Sequence, residues 1–498
     1  MSFTSEWAEK TLESKKKSLA QLINLGSNDQ PPDYIDIVRA VGHWGVYASN
    51  GPHFHSAIFG RDSLVVGEDL LNTHQALVRD ILLTLARLQG VSLNNISEEE
   101  PGKIHHEFRA KTFDGIAVAE HSIKVLSELQ RVWGGAGTDS MTYYGSHDAT
   151  LLYVRLLCNY VRRYGAEILD EAYITKDGQK KVVSDSVRAA GDWIVGKIRN
   201  SNSGLLEYKR LNPNGLANQA WKDSATAYIN KDGSLPDFDR GIASVELQGY
   251  AFDALTSLAH LPGQSVERVE LLLKLAAQIK DLTLELLWMK DEAFFAQGLY
   301  VDSNGKTRQI DSLTSNAALI LDSKLLHALP EQRRHYYVHN VAKVVTKKQF
   351  MTNAGIRSRS LKLAKFPGFI DYHGSYTVWP KETNAAAKGL HNHGLHALAM
   401  QFENRLVDAI LNSGEFYEFH YADTDGKVWY DHKAAMTHFN SISPGGDLPV
   451  PEPGQAWTIS AVLRILNTRH RYEKMGAGAD EKSLLENLQK ISLTSHET

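Results

Sequence analysis

Features that direct a chain to an oxidising compartment or a membrane are scarce in this sequence. It contains one cysteine, Cys158, in 498 residues, which excludes an internal disulfide. Because its neighbours are mostly apolar, we expect a buried structural thiol rather than a reactive one. No apolar run reaches the ~18 residues of a membrane-spanning helix, and the N-terminal segment lacks the apolar stretch of a secretory signal. We therefore expect a cytoplasmic protein.

A surplus of charge is also missing. Lys and Arg total 54 and Asp and Glu total 58, a net charge of -4, so nothing favours nucleic acid or an anionic membrane as a partner. The histidines at 391, 393 and 396 lack the spacing of a zinc motif, and no nucleophile elbow of a serine hydrolase is present. We expect no metal and no cofactor. The sequence leaves open whether the protein forms a homo-oligomer.

What the sequence does contain is helical periodicity and aromatic side chains. The 20 Tyr, 9 Trp and 21 His are compatible with neutral sugars, which bind through hydrogen bonds and aromatic faces. Apolar spacing predicts about a dozen helices. They cover residues 62–71, 75–88, 119–132, 149–161, 186–198, 242–258, 266–288, 314–326, 330–345, 382–402, 405–411 and 455–466. Strand-like alternation is rare and no fixed repeat recurs, which favours an all-α toroid over a solenoid.

No Pro-rich or Ser-rich linker divides the chain, so we expect one main domain. Residues 1–40 are predicted to be a helical lead-in, residues 41–470 the catalytic toroid, and residues 471–498 a tail helix packed on the same domain. Polar clusters rich in carboxylates, Arg, His and Trp interrupt the helices. Because binding and catalytic residues concentrate on loops held by a rigid scaffold, these clusters mark the candidate site.

These clusters resemble, in order, the catalytic domain of glycogen-debranching amylo-1,6-glucosidases and their relatives, the glucoamylases and processing α-glucosidases. The matching segments are 60–63 (GRDS), 101–109 (PGKIHHEFR), 144–148 (YGSHD), 218–224 (NQAWKDS), 376–380 (YTVWP), 416–426 (FYEFHYADTDG) and 455–457 (QAW). The resemblance runs from about residue 48 to residue 466. It implies an (α/α)6 barrel, a six-hairpin toroid with short β elements in its loops.

The resemblance also assigns two catalytic carboxyl groups. Asp223 is expected to be the general acid and Glu418 the general base, with Glu415 and Glu452 as alternatives for the base. The chemistry agrees, because inverting glycoside hydrolysis needs one protonated acid and one carboxylate that activates water on the opposite face of the sugar. The neighbouring Trp221 would raise the pKa of Asp223 by excluding water.

Further residues are expected to bind the sugar. Arg61 and Asp62 offer donors and acceptors for the hydroxyls of a terminal glucose. Lys222 is expected either to face away from the acid or to contact substrate. The remaining candidates for the pocket wall are His106, Glu107, Asp148, Gln248, Trp379 and Trp457.

The predicted function is that of an inverting, exo-acting α-glucosidase on α-1,6 bonds or short α-glucosides. The N-terminal β-rich domain usual in debranching members is missing, which favours a small substrate. One alternative is a helical-barrel disaccharide phosphorylase or sugar epimerase. The other is a non-catalytic carbohydrate-binding protein. The carboxylate at Glu418 argues against phosphorolysis, and the pair of carboxyl groups argues against an inactive barrel.

Overall fold

Helices are the main secondary structure of the described part of the chain. The computed structural model describes residues 34–364, 371–442 and 448–476, with side chains described up to residue 469. Thirteen α-helices lie in these residues. They are α1 (Gly60–Leu70), α2 (Gln75–Arg87), α3 (Glu120–Trp133), α4 (Asp148–Tyr164), α5 (Val183–Arg199), α6 (Val245–Ala259), α7 (Val266–Leu286), α8 (Asn316–Leu319), α9 (Glu331–Val345), α10 (Pro380–Asn392), α11 (His396–Ser413), α12 (His432–Ser441) and α13 (Ala456–Gly476).

Six of these helices close into an inner ring. Following the chain, α1 contacts α4, α4 contacts α6, α6 contacts α8, α8 contacts α10, α10 contacts α13, and α13 returns to α1. Helix α8 is short and continues as a 3-10 turn, Ile320–Asp322. The inner helices are buried over most of their circumference, as α4 shows with burial of nearly every residue from Asp148 to Val161. Helices that are apolar all round lie inside a domain.

Five outer helices pack against the ring. Helices α2, α5, α7, α9 and α11 each follow an inner helix along the chain and contact it. They are amphipathic: in α7 the buried positions Leu272, Leu275, Ala276 and Ile279 form one face, while the first turn is solvent-exposed. The alternation of inner and outer helices confirms the predicted all-α toroid of helical hairpins.

Short strands form small sheets in the loops, as expected. They are β1 (Ala57–Phe59), β2 (Glu107–Ala110), β3 (Thr112–Phe113), β4 (Ile116–Ala117), β5 (Ser140–Tyr143), β6 (Ala172–Ile174), β7 (Lys180–Val182), β8 (Ile242–Ser244), β9 (Trp288–Met289), β10 (Phe294–Phe295), β11 (Gly298–Val301), β12 (Thr307–Ile310), β13 (Met351–Thr352), β14 (Gly355–Ile356), β15 (Thr377–Val378), β16 (His420–Ala422) and β17 (Val428–Trp429).

Three antiparallel sheets of three strands each support the starts of inner helices. Their strand orders are β1-β2-β5, β12-β11-β8 and β15-β16-β17. Strand β1 runs directly into α1, β8 into α6, and β15 reaches α10 after one residue. Side chains in the first turns of the inner helices are thereby placed at one mouth of the ring.

A buried charge cluster occupies the opposite mouth of the ring. The guanidinium of Arg155 pairs with three carboxylates: with Glu68, with Asp253 at 3.2 Å and with Asp322 at 3.7 Å. The ammonium of Lys388 lies 3.3 Å from Asp69 and 3.6 Å from Asp322. These groups, Asp69 excepted, line a cavity of about 380 Å³. Since each charge has an opposite partner, the cluster joins α1, α4, the end of the 3-10 turn and α10.

The structure corrects three predicted helix boundaries. The helix predicted over 382–402 is broken between α10 and α11, where Gly394 adopts a φ of +79°. The segment predicted as 405–411 belongs to α11. The helix predicted over 314–326 is α-helical only from Asn316 to Leu319. Helix α12 was not predicted, because its sequence HKAAMTHFNS buries only His432, Ala435 and Phe439.

Most of the predicted terminal segments lies outside the described residues. Of the lead-in 1–40, residues 34–40 are described and begin with a 3-10 turn, Tyr34–Ile37. Of the tail 471–498, residues 471–476 continue α13 without a break at residue 470. Cys158 is buried inside α4. Among the described helices, none combines the length and the apolar character needed to cross a bilayer.

Candidate active site

The central residue of the site is Arg61, the second residue of α1. Its Nη1 donates hydrogen bonds to Asp148 Oδ2 and to the carbonyl of Ala220, each at 3.0 Å. Its Nη2 donates to Asp223 Oδ2 at 2.8 Å. Gly60 permits this arrangement, because a Cβ there would lie 2.2 Å from the His105 carbonyl oxygen. Arg61 therefore connects α1, α4 and the loop that carries the predicted acid.

Asp223 and Glu418 line the same cavity although they are 195 positions apart in sequence. The cavity has a volume of about 190 Å³. Its wall consists of Phe54, Phe59, Arg61, Asp62, His106, Glu107, Trp133, Leu216, Trp221, Asp223, Tyr372, His373, Trp379, Glu418 and Trp457. The structure thus brings together nine of the twelve residues predicted from the sequence.

The Asp223 carboxyl group is partly open to the cavity, with 21% of its side chain exposed. Burial raises the pKa of Asp223 above its ordinary value, while the Arg61 guanidinium acts in the opposite direction. The indole of Trp221, two residues earlier, is 1% exposed and forms part of the same wall. These surroundings favour the protonated carboxyl group and hold it in one orientation.

Glu418 is almost fully buried, at 3% exposure. The Tyr372 hydroxyl donates a hydrogen bond to Oε1, and the Glu452 backbone N–H donates to Oε2 at 3.4 Å. Burial raises the pKa of Glu418 to about 8, and the hydrogen bond from Tyr372 lowers it only in part. At this pKa the Glu418 carboxyl group keeps its proton up to about pH 8.

Asp62 lies beside Arg61 and also lines the cavity. Its Oδ1 accepts a hydrogen bond from Gln455 Nε2 at 3.3 Å. Burial raises the pKa of Asp62 to about 7, against the charges of Arg61 and Lys381. An ionised Asp62 offers acceptor oxygens to sugar hydroxyls, and a protonated one offers fewer.

Aromatic rings form one side of the cavity. The ring of Trp221 meets Trp379 at 5.2 Å and Trp457 at 5.5 Å, both edge to face. Its Nε1 donates to Glu382 Oε1 at 2.8 Å, which fixes the indole. Trp457, in the first turn of α13, contributes to the wall. Fixed aromatic faces next to hydrogen-bonding groups suit a sugar ring.

His106 and Glu107 lie at the other side of the cavity, just before and at the start of β2. Burial lowers the pKa of His106 to about 3, so its imidazole is neutral at physiological pH. The Glu107 carboxylate accepts a hydrogen bond from Arg109. Among the described residues, no group of three side chains of metal-binding type converges.

Three residues predicted to contact the sugar do not line the cavity. Asp148 is fully buried beneath Arg61. Lys222 points away from the cavity, and its Nζ pairs with Glu382 at 3.1 Å. Gln248 bonds both backbone groups of Leu206, at 3.0 and 2.9 Å. All three support the loops of the site, and Lys222 takes the first of its two expected orientations.

The two alternative candidates for the base lie outside the cavity wall. The Glu452 carboxylate accepts hydrogen bonds from the Ser49 hydroxyl and the His53 backbone N–H, both at 3.3 Å. Glu415 Oε1 accepts from the backbone N–H groups of Phe416 and Gly454. Both carboxylates fix loop backbone, which leaves Glu418 as the acidic residue of this region that lines the cavity together with Asp223.

Six wall residues were not predicted individually. Tyr372 and His373 belong to a polar segment that the sequence does mark, between two helices, but nothing in the pattern shows that they face the cavity. His373 Nδ1 lies 2.8 Å from Ser224 Oγ, next to the predicted acid. The others are the apolar side chains Phe54, Phe59, Trp133 and Leu216.

Comparison with known proteins identifies the type of domain. Residues 199–440 match the family model of the mannosylglycerate hydrolase MGH1-like glycoside hydrolase domain. The prediction of a glycoside hydrolase is confirmed, and the chain is an enzyme of this class. The match does not extend to the narrower assignment as an amylo-1,6-glucosidase. A comparison with curated protein sequences finds no match.

Solved structures show the same fold. A GH63 mannosylglycerate hydrolase from Thermus thermophilus, in complex with Tris, aligns with a TM-score of 0.53 at 15% identity, covering 92% of this chain and 100% of that one. The same hydrolase with Tris and D-glycerate aligns at 0.53 and 14% identity, with the same coverage. A structure described as a wild-type glycosidase aligns at 0.52 and 11% identity, covering 93% and 98%. At these identities the likeness shows a shared fold.

Proposed function

We propose that this chain is an inverting, exo-acting glycoside hydrolase that cleaves the terminal α-glycosidic bond of a small glycoside. The observation that carries the proposal is that Asp223 and Glu418, 195 positions apart in sequence, line one cavity together with charged and aromatic side chains. Inversion requires two carboxyl groups that act on opposite sides of the same anomeric carbon.

In the proposed reaction, Asp223 donates its proton to the glycosidic oxygen as the bond from that oxygen to C1 breaks. A water molecule attacks C1 from the other face, and Glu418 accepts one of its protons. The products are a sugar of inverted anomeric configuration and the free alcohol. Arg61, bonded to Asp223 Oδ2, stabilises the carboxylate left after proton donation. Exchange of protons with solvent restores both groups.

Glu418 must be ionised to act as the base. Burial raises its pKa to about 8, and burial also raises the pKa of Asp223. The reactive form, with the proton on Asp223 and none on Glu418, is therefore a minor form near neutral pH. Substrate binding increases its share if the sugar hydroxyls and the attacking water solvate Glu418.

The proposed substrate class is a short α-glycoside, including glycosides of glycerate. The family match to mannosylglycerate hydrolase-like domains supports this class, and a cavity of about 190 Å³ is consistent with one terminal sugar. Isomaltose, maltose, panose, glucosylglycerate and mannosylglycerate form a test panel that separates α-1,6 specificity from glycerate specificity.

The test is proton NMR of the purified protein with each member of this panel. Initial release of the β-anomer from an α-glycoside supports inversion. Release of the α-anomer contradicts it, and a sugar 1-phosphate that forms only with added phosphate supports the phosphorylase alternative. Absence of cleavage throughout, together with sugar binding, supports a non-catalytic protein.

Variants test the two roles directly. We expect Asp223→Asn and Glu418→Gln each to lower kcat by about 10²- to 10⁴-fold, because each removes one proton transfer. Glu415→Gln is the matched control: Glu415 lies in the same loop as Glu418 but not in the cavity wall, and glutamine keeps the acceptor for two backbone N–H groups. Near-normal turnover in either test variant removes that residue from its role.

A further inference from the structure

A buried lysine lies beneath the aromatic wall of the cavity. Lys381 is the second residue of α10 and is 4% exposed. Its Nζ lies 3.3 Å from the centroid of the Trp221 ring. Within residues 34–364, 371–442 and 448–469, no hydrogen bond or ion pair to this Nζ is formed, whereas the equally buried Lys222 pairs with Glu382 and two further groups. An aromatic face is therefore the nearest partner of the Lys381 ammonium.

The ring under this ammonium belongs to the tryptophan that adjoins the predicted acid. Trp221 precedes Asp223 by two residues and lines the cavity. Arg61, which bonds Asp223, also faces the Trp221 ring, at 5.2 Å from its centroid. Two cations, Arg61 and Lys381, thus contact the indole of Trp221. Without one of them, the indole and the segment from Trp221 to Asp223 are held less firmly.

Charged groups from several elements act on Lys381. Those with an electrostatic influence on it are Arg61 and Asp62 on α1, Asp148 on α4, Glu246 on α6, Glu382 on α10 and His373 in the preceding loop. Two of the four carboxylates have another cation as partner, since Asp148 bonds Arg61 and Glu382 bonds Lys222, and Glu246 accepts a hydrogen bond from the Tyr228 hydroxyl. Asp62 has no such ion pair among the described side chains, and its printed hydrogen bond comes from the neutral amide of Gln455.

Resting on the proposed function, we infer that Lys381 is a positioning residue of the active site: its ammonium fixes the Trp221 indole and supplies positive charge for Asp62. Direct contact with substrate is not part of this role, because Lys381 is absent from the cavity wall. The direction of the pKa effects agrees, since Lys381 lowers the pKa of Asp62 against the rise that burial causes. Burial lowers the pKa of Lys381 itself to about 7, so Lys381 carries its positive charge below that pH, where Asp62 takes up its proton.

The role predicts a change in pH dependence and not only a loss of activity. If Asp62 must be ionised to bind sugar hydroxyls, kcat/KM falls below the Glu418 pKa of about 8 and gains a second, steeper acidic limb below the Asp62 pKa of about 7. In Lys381→Met the opposing charge is absent, so the limb moves to higher pH by about 1 pH unit. We also expect kcat to fall by about 10- to 100-fold, through misplacement of Asp223. Lys381→Arg keeps the charge, and its acidic limb stays with that of the wild type.

Lys388→Met is the matched control, on the same helix but in the charge cluster at the opposite mouth. It is expected to lower the Tm without moving the pH profile. An unchanged acidic limb and kcat in Lys381→Met overturn the inference. If Lys381→Met does not fold, Lys381→Arg tests the inference. An acidic limb that moves in Lys381→Arg, although the charge is retained, overturns it as well.

A measurement without substrate separates this inference from the proposed function. In a double-mutant cycle of Lys381→Met and Asp62→Asn, we expect the double variant to lose less Tm than the two single losses combined, because the two groups interact. Additive losses overturn the inference even in an active enzyme. Absence of glycosidase activity in the wild type contradicts the proposed function, while a non-additive cycle still supports the pairing of Lys381 with Asp62.

Discussion

Replacement of Glu418 by glutamine is expected to stabilise the folded protein at alkaline pH while it removes activity. The glutamine has the shape of glutamate but no charge, and its carbonyl oxygen still accepts the Tyr372 hydroxyl. The wild-type carboxyl group, 3% exposed, must be ionised above about pH 8 in a cavity that solvates it poorly. The variant avoids this desolvation.

The magnitude follows from the two pKa values of the wild-type group. The pKa of Glu418 rises from an ordinary 4.5 to about 8 in the folded protein. Between these values the folded state holds the proton and the unfolded state does not, so the wild-type free energy of unfolding falls as pH rises. At 1.36 kcal/mol for each pH unit, the loss is at most about 5 kcal/mol above pH 8. Weakening of the 3.4 Å contact from the Glu452 N–H costs the variant about 1 kcal/mol at every pH.

The assay measures the Tm of wild type and variant from pH 4 to pH 9. The Tm difference between the two proteins at each pH is used, because the contributions of other titrating groups cancel in it. The variant is expected to be slightly less stable than the wild type at pH 4 and more stable above pH 8. Glu415→Gln corrects for the removal of a carboxylate from the same loop. A difference between Glu418→Gln and wild type that stays flat, or falls with rising pH, would refute the reasoning.

Other predictions concern the charges and the thiol. In initial-rate profiles, kcat/KM should fall as pH decreases below about 8, where Glu418 takes up its proton, and more steeply below about 7, where Asp62 loses its ionised form as the hydroxyl acceptor. Arg61→Met leaves Asp148 buried without its cation, so we expect a loss of about 3–5 kcal/mol in urea unfolding together with loss of turnover. Arg155→Met should lower stability by a similar ~3–5 kcal/mol but leave KM unchanged, because its three carboxylates lie at the other mouth. Burial raises the pKa of the Cys158 thiol to about 12, so a thiol reagent should label it only after unfolding, which mass spectrometry detects.

Helical periodicity predicted the all-α toroid, and the resemblance to known helical-barrel glycosidases implied its six hairpins. The ring follows from helices that are buried all round, alternating with amphipathic ones, and both patterns are visible in the sequence. The break at Gly394 was not predictable from periodicity, because apolar spacing continues on both sides of it. A left-handed glycine ends α10 and reverses the chain within four residues.

The sequence motifs predicted which segments form the site, but they did not predict which side chains of those segments face the cavity. Trp221 and Asp223 face the cavity, while Lys222 between them points to Glu382 on the other side. Neighbouring residues of a non-helical segment point in different directions, and which of them points inward depends on contacts far along the chain. The same reason explains why Gln248, in the first turn of α6, bonds Leu206 instead of facing the cavity.

The charge cluster and the candidate active site occupy the two ends of the same inner helices. Helix α1 contributes Arg61 near its start and Glu68 near its end, and its 11 residues span about 16 Å. The charge cluster that contributes to stability and the residues proposed to bind substrate thereby lie at opposite ends of the ring. Stabilising substitutions can therefore be made around Arg155, and substitutions that alter specificity around Arg61, with little effect of one set on the other.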